Sequence, residues 1–143
     1  MMSASDLPTR AIQATLETQE FWAATAEGRF LLRHCNACGT AIWYPRSHCP
    51  ICMSTDVSWV DAAGTGVVYS FSITRVSGGR WKGAVPYVLA YVELDEGPRV
   101  LTNIVGCAVD DVRIGMAVRV VFDDVIEGSA LYRFAPLAPL LRP

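Results

Sequence analysis

A mainly β chain is predicted: one N-terminal helix, a small metal-stapled ribbon, then a five-stranded barrel. Three observations carry that prediction. Cys35, Cys38, Cys49 and Cys52 form two C-x2-C pairs separated by ten residues. From Gly64 onward, runs rich in β-branched and aromatic residues alternate with period two. Helical spacing occurs only ahead of the first cysteine.

The helical segment spans residues 1–28, beginning with a loose terminus over 1–8. Helix is expected from Ala11 to Ala26, with Ile12 and Leu16 on one face and Phe21–Trp22 extending it. Gly28 suits the helix end. This face either covers the chain's own core or presents Phe21 and Trp22 to a partner, since aromatic residues are common interface anchors. The Met1 end shows no basic segment followed by an apolar run, so no signal peptide is expected and the setting is read as cytoplasmic.

Residues 29–62 form the ribbon. RFLLRH leads into the first cysteine pair, TAIWY leaves it, Pro45 and Pro50 punctuate the return, and Ser58–Ala62 exits. Two residues between thiols let one tight turn aim both sulfurs at a common point. Two such turns facing each other make the tetrahedral thiolate cage that zinc favours. Iron fits the same donors. Four thiolates fill the coordination sphere, so the metal is expected to be one structural zinc per chain, without an open position for chemistry. His34 and His48 each flank a cysteine, but the four thiols already satisfy the metal.

Residues 63–143 form the barrel with its tail. GTGVVYSFSITRV places Val67, Tyr69, Phe71 and Ile73 on one face, and PYVLAYVEL alternates Val88, Ala90, Val92 and Leu94. After the DEGP turn come PRVLTNIVG, a connector at 109–116, VRVVFDDV and SALYRFAPL. Five strands, the first long and entered through Gly64 and Gly66, fit a small closed barrel of the OB type. The tail APLAPLLRP cannot form regular helix. Leu137, Leu140 and Leu141 are expected to pack on the body or on a partner.

The 143 residues, 52% hydrophobic and 18% charged, support a filled core and argue against disorder. No apolar run is long enough to span a membrane. A net charge of -2 weakens a nucleic-acid reading, which needs a basic face. No catalytic constellation stands out. Cys107 lies far along the chain from both histidines. Neighbouring carboxylates in Asp110–Asp111 and Asp123–Asp124 would point to opposite strand faces, and are expected to solvate turns.

The chain resembles the acyl-CoA-associated family known as domain of unknown function 35, built from an N-terminal helix, a rubredoxin-like zinc ribbon and an OB-fold. The resemblance runs from about Phe21 to Phe134, through FWAATAEGRFLLRHCNACG, the CPIC turn, GTGVVYSFSITR, VPYVLAYVELDEGPRVLTNIVG and DDVRIGMAVRVVF. Met53 departs from it, standing where the second turn of such proteins often has glycine. The resemblance implies a structural zinc and a role as required accessory subunit or fused domain. Its partners would be thiolase-like, aldolase or hotdog-fold hydratase enzymes acting on acyl-CoA, in settings that include steroid side-chain degradation and lipid metabolism.

Coenzyme A thioesters need a few cations, an apolar channel and an aromatic face. Arg75, Arg80, Trp81 and Lys82 lie together after the first barrel strand, and Arg46 lies near Trp43 and Tyr44. These two groups are expected to meet at the ribbon–barrel junction and bind the thioester. The alternative function is that of a single-stranded nucleic-acid-binding ribbon and OB protein.

Overall fold

The structure, a computed structural model, describes residues 4–138. One helix, α1 (Gln19–Thr25), precedes a three-stranded antiparallel sheet of β1 (Leu31–Cys35), β2 (Ala41–Ile42) and β3 (Val57–Asp61), ordered β2-β1-β3. The remaining strands are β4 (Thr65–Thr74), β5 (Tyr87–Leu94), β6 (Arg99–Ile104), β7 (Ala117–Ile126) and β8 (Ser129–Pro136). They close into a barrel ordered β4-β5-β6-β8-β7. Its one parallel contact, Ile104 with Phe134, joins β6 to β8. Long β4 pairs with both β5 and β7, which is how the sheet closes on itself.

Gly66 permits that closure. A Cβ there would lie 2.3 Å from the Glu93 carbonyl oxygen of β5. Bulges in β4 between Val68 and Ser70, and in β7 between Phe122 and Val125, add curvature. The β4 bulge also corrects the expected alternation. Val67 and Tyr69 face outward and are exposed, whereas Phe71 and Ile73 pack against the core. One inserted residue reverses which face every later side chain takes.

The helix is shorter than its expected span from Ala11 to Ala26. Residues 11–15 are irregular, and Leu16, expected on the buried face, is 88% exposed. The short helix nonetheless drives Phe21 and Trp22 into the interior. There Phe21 meets Trp22, Phe30, Trp43, Tyr44 and Tyr132 edge-on. Trp22 stacks on Tyr132 and donates Nε1–H to the Tyr44 hydroxyl (2.7 Å). Helix, ribbon and barrel thus share one core, which includes Phe30 just ahead of β1, Leu31 and Leu32 of β1, and Val92 and Phe134 of the barrel. The ribbon adds a small cluster of its own around Cys35, Ile42 and Cys49.

Candidate functional site

The two cysteine turns are built alike. In the first, Gly39 N–H donates to the Cys35 carbonyl (2.8 Å); in the second, Met53 N–H donates to the Cys49 carbonyl (2.9 Å). Both residues closing the turns have positive φ, 80° at Gly39 and 65° at Met53. Amide groups point at the sulfurs: Cys38 N–H at Cys35 Sγ and Ile51 N–H at Cys49 Sγ, each at 3.4 Å. Such N–H contacts favour thiolate over thiol.

All four Sγ atoms lie within 4.8 Å of one another, and no disulfide joins any of them. Cys35 and Cys52 sulfurs are 3.5 Å apart, and those of Cys38 and Cys49 3.7 Å. A tetrahedron with Zn–S arms of about 2.3 Å has edges of about 3.8 Å, so the donor set fits one zinc. Hydrogen bonding from the Thr40 side chain and backbone lowers the Cys38 thiol to about 6. At Cys52 the Ser54 backbone pulls downward, but the neighbouring Cys35 thiol and burial win and push it up to about 12. A bound cation would remove this competition for protons among the thiols. Neither histidine belongs to the cluster; His34 Nδ1 faces Asn36 Oδ1 at 3.3 Å instead.

The cation-bearing turn after β4 is a short 3-10 helix, Gly79–Ala84. Trp81 packs on Tyr87, with ring centroids 4.7 Å apart. Arg80 donates Nη2–H to the Thr9 carbonyl, Lys82 is exposed, and Arg75 pairs with Asp110 (3.3 Å). Arg46 lines a cleft of about 290 Å³ with Thr15, Glu17, Thr18, Tyr44, Pro45 and His48. Glu17 there accepts from the Ser47 backbone N–H (2.6 Å), which holds its carboxyl below the usual value. A separate cavity of about 380 Å³ lies beside the 79–84 turn, between Ala4–Leu7, Tyr87 and Gly106–Cys107. The two clefts share no lining residue, and Arg80, Trp81 and Lys82 line neither of them.

Of the residues expected to meet a partner, Phe21 is fully buried and Trp22 is 7% exposed, both within this chain. Leu137 is about half exposed, and its N–H bonds the Ala117 carbonyl (3.0 Å). Leu140 and Leu141 lie outside the described residues. The outer face of β4, β5 and β6 exposes Val67, Tyr69, Leu89, Tyr91 and Leu101, with the Arg99 guanidinium 3.7 Å over the Tyr69 ring.

Sequence reasoning missed a buried polar network. Asp123, expected to solvate a turn, is 1% exposed on β7, and its carboxylate accepts Arg133 Nε–H (2.9 Å). Arg133, itself 4% exposed, also donates to Asn103 Oδ1, and Asn103 Nδ2–H reaches the Val88 carbonyl (2.8 Å). A burial this deep requires pairing, because an isolated charge would be too costly. No spacing rule signals it, since the three residues come from three different strands.

Comparison with known proteins agrees with this geometry. A family model for the ChsH2 rubredoxin-like zinc ribbon domain matches residues 22–58, and one for the ChsH2 C-terminal OB-fold domain matches residues 59–123. A DUF35 domain-containing scaffold protein of Methanocaldococcus jannaschii is 38% identical over 110 residues, covering 72% of this chain and 78% of that protein. A probable enoyl-CoA hydratase alpha subunit of Thermomonospora curvata is 39% identical over 120 residues, covering 83% of this chain; this chain spans only 37% of that subunit. A chain of the solved Ltp2-ChsH2(DUF35) aldolase superposes with a TM-score of 0.79 at 34% identity, over 90% of this chain and 100% of that one.

Proposed function

The chain belongs to the DUF35 family, in the paired zinc-ribbon and OB-fold form of the ChsH2 domains, and from that premise we propose that it is a non-catalytic accessory subunit of an acyl-CoA-processing enzyme. One observation carries the reading: it aligns over the full length of the DUF35 chain in a two-component aldolase. The relative described as a hydratase alpha subunit supports it, because there the same unit is part of a longer chain. The partner is an enzyme of the aldolase, thiolase-like or hydratase kind, and the shared ligand is a coenzyme A thioester of lipid or steroid metabolism.

The residues divide this work. Cys35, Cys38, Cys49 and Cys52 would hold zinc, whose contribution is to fix the ribbon. Arg80, Trp81 and Lys82 face the thioester, with Arg75 in the same loop, and Arg46 serves a second contact from its own cleft. Phe21 and Trp22 act on the partner indirectly, by fixing the ribbon against the barrel. Direct contact falls to the exposed apolar face around Tyr69, Tyr91 and Leu101 and to the tail from Leu137. We retain the division into 1–28, 29–62 and 63–143 as one of roles, since a single core joins the parts. We assign the chain to a reducing, cytoplasmic setting, in which four thiols stay available as metal ligands. Among the described residues, no helix is long and apolar enough to cross a membrane.

Co-expression with candidate acyl-CoA enzymes followed by affinity purification tests the reading. A stable complex is expected whose turnover of the thioester requires both chains, while this chain alone turns over none. Tyr91→Asp should reduce recovery of the complex about tenfold or more, since a charge buried in an interface loses its hydration. Turnover by the isolated chain would overturn the accessory role. Tight binding of a single-stranded oligonucleotide with a steep salt dependence would favour the nucleic-acid alternative.

A further inference from the structure

Residues 4–9 cross the barrel without regular structure and are held by polar contacts to its buried network. Ala4 N–H donates to the Phe122 carbonyl (3.3 Å), and the Ser5 hydroxyl donates to Asp123 Oδ1 (2.8 Å). Arg133 Nη2–H then donates to the Pro8 carbonyl (3.0 Å), and Arg80 Nη2–H to the next carbonyl along, that of Thr9. Two guanidinium groups, from β8 and from the 79–84 turn, therefore converge on consecutive peptide oxygens. Neutral carbonyls are the weaker partners for such a pair; planar guanidinium forks match the oxygens of phosphate and carboxylate and bind them more strongly.

We propose that Arg80 and Arg133 form a phosphate-binding site that residues 4–9 cap with their own backbone carbonyls, and that a phosphate-bearing ligand displaces this strap. The site is built into the barrel. Arg133 is fixed by Asp123 on Nε and Asn103 on Nη1, so its fork is aimed before any ligand arrives. Lifting the strap releases Nη2 and leaves those two bonds in place. Asp123 loses Ser5 but keeps Arg133, so the buried pair is not orphaned. Lys82 stands on the same turn as Arg80, and Asp6 leaves with the strap, so lifting it shifts the local charge toward positive. The adjoining cavity of about 380 Å³ gives room, and Trp81, 5.9 Å from the Arg133 guanidinium, offers an aromatic wall. The acyl-CoA reading enters only in naming a coenzyme A phosphate as the natural source; the site itself rests on the two guanidinium groups.

Hydrogen exchange on the zinc-loaded full chain tests it, with inorganic pyrophosphate and with a coenzyme A thioester as separate probes. Both are expected to speed exchange of the amides in residues 4–9, and Arg80→Gln should abolish the effect while leaving zinc content unchanged. Removing residues 1–9 should tighten binding of either probe about tenfold or more, since the Pro8 and Thr9 carbonyls no longer compete for the two guanidinium groups. Release by pyrophosphate but not by the thioester would keep this site and sink the coenzyme assignment. Thioester binding with exchange of residues 4–9 unchanged or slowed would overturn the capped site while leaving the accessory role intact. Failure of both probes to alter that exchange would overturn it as well; this readout needs no variant to fold.

Discussion

Met53 shows how one residue departs from its local geometry without disturbing the site. It occupies in the second cysteine turn the place Gly39 holds in the first, and both have left-handed backbone, φ 65° and 80°. A side chain there costs roughly 1–2 kcal/mol, partly offset because glycine has more freedom to lose on folding. Met53 is 65% exposed, so its side chain has little packing to lose. Met53→Gly should therefore raise stability by about 0.5–1 kcal/mol in thermal or denaturant melts, with zinc content unchanged. Gly66 is the opposite case: its missing Cβ is a requirement of barrel closure, because β5 backbone already fills that space. The buried Arg133–Asp123 pair is a third kind of residue-scale feature, in which a charge survives burial only because every contact is prearranged.

At the scale of elements, the ribbon is the part that cannot stand without help. β2 is two residues long, and the ribbon's own cluster consists of Cys35, Ile42 and Cys49 with Val57 packed against it. So small a core supplies little stabilisation, and metal binding becomes folding free energy. Elemental analysis should find one zinc per chain. Chelation should expose the amides between Cys35 and Val57 to rapid hydrogen exchange, while the barrel strands stay protected. Cys107→Ser should leave zinc content unchanged. Protection of the ribbon after complete metal removal would show that its strands hold by themselves. The barrel differs because two bulges let five strands curve around and bury a continuous interior.

Across the whole molecule, the aromatic cluster of Phe21, Trp22, Phe30, Trp43, Tyr44 and Tyr132 packs helix, ribbon and barrel against one another. Tyr132 packs against Phe21, Trp22, Phe30 and Trp43 of this cluster, and burial raises its phenol above the usual value of 10.0. An acid whose folded value is raised favours folding while it stays protonated. Its contribution is thus complete below about pH 10 and is lost as pH rises from there toward the folded value. Alkaline titration followed by tyrosinate absorbance should show Tyr132 ionising late, together with unfolding. Tyr132→Phe should move that transition to higher pH. Ionisation of Tyr132 near the usual value would mean that the cluster opens easily. The four cysteine ligands, the five barrel strands and the family were legible in the chain alone, because cysteine spacing, period-two alternation and turn residues are local signals. Packing in three dimensions turns Phe21 and Trp22 inward, reverses the faces of β4 at a bulge, and brings Arg80 and Arg133 together beneath residues 4–9. Those outcomes depend on contacts between residues as far as 125 positions apart in the chain, and no local period encodes which distant partners a side chain will meet.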